Sequence, residues 1–322
     1  MPTYPGISRD AFRHPLDQQA EAALRAVPGF DIVARKFVEF MYERPQFVSL
    51  MGNNVQVGPQ QYSTLYQMFR ECVQALDVQP EPALFVAQNP QVNSYAIGEE
   101  NPCVVVNTGL LDLLSDDEIR TVMAHELGHV KCGHTTLTQM AIWAMNTATV
   151  IGELTFGIGN MISTGLIYAF YEWRRMAELS SDRAALLATD DWRLVGNTMM
   201  RISGGSNRFA HELNFQAFEK QADDYKNLDE DGLSQVYKFL LYNGGGAGPM
   251  LSHPFPVDRL SYLKLWAQSE EYARIKAGNY ARSRTDGTVD VDPTPAASEV
   301  DRLRQELADL QSELDRLRRP DS

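Results

Sequence analysis

Apolar residues along this chain change period several times, and each change marks an element. Apolar positions recur at helical spacing over Asp17–Val27. They do so again, after Pro28-Gly29, over Asp31–Glu43, where Val33, Phe37, Phe40 and Met41 continue a stripe opened by Phe30. Tyr62–Leu76 repeats the helical rhythm. After Pro80-Glu81-Pro82 the pattern shortens to strand-like runs: Ala83–Ala87, Val92–Ile97 and Cys103–Asn107. Helical spacing returns over Asp117–Val130, with Ile119, Val122, Met123, Leu127 and Val130 on one face. Ser115-Asp116-Asp117-Glu118 reads as the capping box that starts this helix, and Gly133 as its stop. Phe209–Tyr225, Gly232–Leu241 and Val257–Arg274 also read as helices. The expected fold is α+β, mainly α, with three strands in a small sheet beside helix 117–130.

Two stretches depart from amphipathic patterning. Thr135–Gly152 and Leu154–Tyr171 contain no charged residue, and Glu153 separates them in a glycine-flanked turn. Their length suits a hydrophobic hairpin that dips into or crosses a membrane, while Gln139, Asn146, Asn160 and several Ser and Thr suit a helix pair packed on the core. Both readings stand. Further on, residues 283–298 are polar, carry two prolines and read as a disordered linker. Val300, Leu303, Leu307, Leu310, Leu314 and Leu317 then alternate in steps of three and four, which predicts a coiled coil over 299–319 for self-association or partner docking. The expected organisation is a helical extension over 1–80, a main domain over 81–282, the linker and the coiled coil.

Composition narrows the function classes. Hydrophobic residues make up 44% and charged residues 22%, as in a globular protein. The formal charge of −13 gives no support for nucleic-acid binding. Cys72, Cys103 and Cys132 are odd in number and form no CxxC pair, which suits reduced thiols. Met1-Pro2-Thr3-Tyr4-Pro5 has neither a basic start nor an apolar core. The expected location is the cytoplasm or the cytoplasmic face of a membrane.

Chemistry concentrates in His125-Glu126-Leu127-Gly128-His129. Two histidines four apart lie on one helix face and can reach one tetrahedral Zn²⁺, expected at one per chain. Glu126 can take a proton from water activated there, which makes the motif a hydrolytic centre in outline. Three residues compete as the third ligand. His134 falls one position early for a metzincin pattern, and Glu153 lies in the Gly152–Gly157 turn. Glu178 and Asp182 are four apart on a helical stretch, so one carboxylate can bind metal while the other orients a histidine ring. Glu178 is therefore taken as ligand and Asp182 as its supporting acid. A surface helix carrying these acids beside Arg174 and Arg175 is the ordinary alternative. Asn93–Gly98 is the candidate edge for adding an extended peptide to the sheet.

From about Asn93 to Leu263 these motifs resemble the HtpX-like zinc metallopeptidases, the gluzincin family that also contains the membrane prenyl-protein proteases. The resemblance rests on Asn93-Ser94-Tyr95-Ala96, Thr108-Gly109-Leu110-Leu111, the 125–129 pentapeptide, Glu178-Leu179-Ser180-Ser181-Asp182, and Ser252-His253-Pro254 followed by Arg259. It implies a zincin-like domain with His125, His129 and Glu178 as ligands and Glu126 as general base and acid. It also implies a role near the site for His253, and a cleft edge at Asn93, Ser94, Tyr95 and Ala96. No pair of long N-terminal transmembrane spans of the HtpX kind is visible. The expected function is zinc-dependent endopeptidase action on protein or peptide substrates, in membrane-associated quality control. The alternative is a non-catalytic zinc-containing scaffold recruited through 299–319.

Overall fold

The structure is a computed structural model that describes residues 1–27, 29–31, 33–34, 37, 43–140, 142–143, 158–229 and 254–283. Residues Met1–Ser283 form one compact unit. The sequence expectations at Glu153, Gly232–Leu241, His253, the 284–298 part of the linker and the 299–319 coiled coil lie outside the described residues.

The chain begins with helix α1 (Pro15–Arg25), with proline at its first position and the His14 ring accepting from the Leu16 N–H at 3.1 Å. Next come α2 (Glu43–Asn53), the short strand β1 (Val55–Gln56) and α3 (Ser63–Leu76). Strands β2 (Ala83–Ala87), β3 (Ser94–Ile97) and β4 (Cys103–Asn107) follow, then α4 (Thr108–Leu113). The sheet order is β1-β2-β4-β3, with β2 and β4 parallel and the other pairs antiparallel. The predicted three-strand sheet is present, joined by β1, which is too short to show a period.

Alternate residues of the sheet enter different cores. Leu84, Val86, Val104 and Val106 face α3 and the motif helix, while Phe85, Cys103 and Val105 pack with Leu50 of α2. Burial on both faces explains why β4 reads as an unbroken Cys-Val-Val-Val run instead of an alternating one.

The motif helix is α5 (Asp116–Cys132). Glu118 accepts from the Ser115 N–H at 2.8 Å, completing the predicted capping box. Gly133 ends the helix at φ +74°, in the left-handed region that favours glycine. Helix α6 then spans Ile158–Thr189 without a break. The second uncharged stretch is therefore, from Ile158 onward, the N-terminal half of the same helix that carries Glu178. Leu137 and Met140 pack with Leu166, Phe170 and Trp173 of that half, and with Leu24 and Phe30. These described parts of the two stretches pack on the core, and residues 144–157 between them lie outside the described residues. Among the described residues no helix is long and apolar enough to cross a membrane.

Two helix expectations are corrected. Phe209–Tyr225 is not one helix: Asn207–Glu212 forms a 3₁₀ turn, and α8 (Phe215–Asp229) starts only after the Asn214 side chain accepts from the Ala217 N–H at 3.1 Å. Val257–Arg274 is likewise divided into α9 (Pro256–Ala267) and α10 (Glu270–Lys276), because Ser269 caps a new start by accepting from Tyr272 N–H. Helix α7 (Trp192–Gly204) was missed, although Asp191 caps it and Trp192, Val195, Met199 and Ile202 keep helical spacing.

Candidate metal centre and cleft

Helices α5 and α6 meet at small residues. A Cβ on Gly128 would stand 2.7 Å from Cβ of Ala184 and 2.9 Å from Cα of Ser181. The missing side chain lets α6 approach close enough to bring Glu178 under both histidines.

His125, His129 and Glu178 each offer a ligand atom within 4.8 Å of the others. Nε2 of His125 lies 3.3 Å from Oε2 of Glu178, and Nε2 of His129 lies 3.4 Å from Oε1. Donors bonded to a tetrahedral zinc at about 2.0–2.2 Å stand about 3.3–3.6 Å apart. Two imidazole nitrogens and one carboxylate, with a fourth position left for solvent or substrate, are also the donor chemistry of a catalytic zinc site. The residues present fit the ion.

Surrounding groups fix these donors. Nδ1 of His125 faces Oδ1 of Asp182 at 3.1 Å, so Asp182 takes the supporting position expected of it. Arg259, from α9, holds Asp182 by two hydrogen bonds of 2.8 and 2.6 Å and lies 3.1 Å from Glu178. Burial alone would lower the His125 pKa, but Asp182 and Glu178 outweigh it and push it up to about 10. Burial would raise Asp182, yet Arg259 holds it below the usual carboxylate range. In the sequence Arg259 stands out only as part of the family-like segment. Its sequence signal is weak, because a buried arginine in a helix looks like any surface one.

Glu126 is only 6% exposed and accepts from the Ser94 hydroxyl at 2.6 Å. Ser94 opens β3, which pairs only with β4 among the described residues, so the edge expected at Asn93–Gly98 is an edge. The Asn107 N–H donates to the Asn93 carbonyl, and the pairs Ser94↔Val106 and Ala96↔Val104 follow in register. Antiparallel alternation then turns the main-chain groups of Ser94 and Ala96 away from β4.

A cleft of about 390 Å³ opens beside His125 and Glu126. Asn93 and Ser94 reach its rim, and Leu110, Val122, Val195, Met199 and Ile202 give it an apolar lining. A smaller cavity of about 60 Å³ lies along Ser94, Tyr95, Ala96 and His129. The structure thus brings together every described residue expected at the site. His134 does not join the ligands; its Nδ1 lies 3.0 Å from Nδ1 of His129, on the far side of that ring. Cys132 is a buried free thiol whose pKa burial raises.

Comparison with known proteins agrees with this arrangement. The model of peptidase family M48 matches residues 59–267. The chain is 34% identical over 271 residues to the plastoglobule-localized metallopeptidase 48, chloroplastic, of Arabidopsis thaliana, covering 84% of this chain and 76% of that one. It is 23% identical to a protease HtpX homolog of Ralstonia pickettii, over 70% of this chain and 82% of the relative. With one of Moorella thermoacetica it shares 24%, over 68% and 77%. No solved structure matches it. A family match over well above half of its length places the chain in peptidase family M48, and so among the metallopeptidases.

Proposed function

We propose that the chain is a zinc-dependent endopeptidase that cleaves extended protein or peptide segments laid along β3. The observation that carries this reading is the convergence of both motif Nε2 atoms on Glu178, with Glu126 at the next position. A bound zinc supplies Lewis acidity, which polarises a carbonyl oxygen and makes a water easier to deprotonate. Glu126 then takes the proton on a carboxylate oxygen and later delivers it to the departing amine. The Ser94 hydroxyl holds Oε1 of Glu126 and leaves its other oxygen for that transfer. Asp182 and Arg259 keep His125 and Glu178 in place throughout.

Substrate main chain is bound by the outward groups of Ser94 and Ala96, which require no particular side chain and no chain terminus. The apolar cleft beside Glu126 supports a preference for a large apolar residue next to the cleaved bond. The test is digestion of unfolded casein with and without a chelator, followed by analysis of product termini. Internal cleavage that the chelator abolishes is the expected result. Glu126→Gln keeps zinc and lowers kcat by about 10²–10⁴-fold, the usual worth of a general base. Hydrolysis at the wild-type rate by that variant contradicts the role given to Glu126.

A further inference from the structure

Both motif histidines turn Nε2 toward Glu178, so each keeps Nδ1 for another partner. His125 meets a carboxylate directly. His129 does not: its Nδ1 faces Nδ1 of His134 at 3.0 Å, and Nε2 of His134 faces Oδ2 of Asp17 at 3.0 Å. Asp17 lies fully buried in α1. Arg13 donates to its two oxygens at 2.7 and 2.9 Å, and the Ser180 hydroxyl donates to it at 2.7 Å. Ser180 sits two residues beyond Glu178 on α6 and also accepts from the His14 N–H at 3.0 Å.

Hydrogen-bond direction along this chain is fixed from both ends. A neutral imidazole that binds metal through Nε2 carries its hydrogen on Nδ1, so the partner of His129 must accept there. His134 accepts at Nδ1 only when its own hydrogen is on Nε2. Ionised Asp17 is an acceptor alone and draws that hydrogen to Nε2.

We propose that His134 and Asp17 are positioning residues of the metal centre: Asp17 fixes the tautomer of His134, and His134 orients the ring of His129. The proposal rests on the metal reading above. It makes α1, which precedes the segment matched by the family model, a working part of the site. Supporting partners of this kind typically change metal affinity by about 10–100-fold.

The test measures zinc dissociation constants of the full chain by competition with a chromophoric chelator, beside thermal melts of the zinc-free protein. His134→Phe keeps a ring without an acceptor, and its Kd rises by about 10–100-fold. His134→Asn returns an amide oxygen near the place of Nδ1 and recovers affinity to within about threefold of wild type. Asp17→Asn keeps the shape but loses the charge, and its Kd rises several-fold. A wild-type Kd in His134→Phe, or equal losses in the Phe and Asn variants, overturns the proposal. If His134→Phe does not fold, Asp17→Asn decides, and a wild-type Kd there overturns the proposal equally. Failure of the wild-type chain to bind zinc is a different outcome: it removes the metal reading itself, and this proposal with it.

Discussion

Gly128 is the residue on which the site's geometry turns. Helix propensity favours alanine at an interior helical position by about 1 kcal/mol. Here an added Cβ meets Ser181 and Ala184 of α6 at distances that require one helix to move. Overpacking of a close contact costs about 1–3 kcal/mol. Gly128→Ala is therefore expected to lower the melting temperature despite its better propensity, and to weaken zinc binding because Glu178 rides on the displaced helix. Calorimetry and chelator competition on the same preparation check both parts; a more stable variant with unchanged affinity contradicts the argument. The residues legible in sequence were those linked by helical spacing, His125 with His129 and Glu178 with Asp182. Arg259, Asp17 and the true place of His134 were not legible, because each acts through a contact between positions distant in the chain.

At the scale of elements, α5, its capping box and the strands were readable because their periods are long or their punctuation is sharp. Helix α7 was overlooked, and with it Val195, Met199 and Ile202 of the cleft's apolar wall. The continuity of α6 was also unexpected, since an uncharged stretch followed by a charged one resembles two segments, yet a single helix holds both. Strand β3 carries its own prediction. Ala96 directs its N–H away from β4, so Ala96→Pro removes an outward donor without cutting the ladder. One main-chain hydrogen bond is worth about 1 kcal/mol net, which raises KM for an extended peptide by about fivefold and leaves zinc affinity unchanged. An unaltered KM removes β3 from substrate binding.

Across the whole molecule, the N-terminal segment belongs to the same compact unit as the motif helices. Tyr4, Ile7 and Phe12 enter the core that holds Met123 and Leu127. Its attachment is sensitive to acid. Burial pushes the His14 pKa down to about 4, with Arg183 adding to the effect and Asp17 and Asp182 opposing it. Burial would raise Asp17 and Glu21, but Arg13 holds both below the usual carboxylate range. A histidine lowered on folding contributes stability that is complete above about pH 6.5 and fades as pH falls toward 4. Carboxylates lowered on folding contribute above about pH 4 and lose that contribution below it. Between pH 7.5 and 5 the carboxylates change little and His14 destabilises the zinc-free chain, while His125, raised on folding, acts in the opposite direction. The test is therefore the comparison with His14→Gln, which loses less melting temperature between pH 7.5 and pH 5 than the wild-type zinc-free chain. An equal or larger loss in His14→Gln contradicts this account of how α1 is held.

The central claim is that two imidazoles from α5 and one carboxylate from α6 hold a single zinc. X-ray absorption at the zinc edge, with metal content measured on the same sample, tests it directly. The account predicts one zinc per chain, two imidazole nitrogens and oxygen donors at about 2.0–2.2 Å, and loss of that pattern in Glu178→Ala. A sulfur donor in the spectrum, or the same spectrum and metal content in Glu178→Ala, would contradict it.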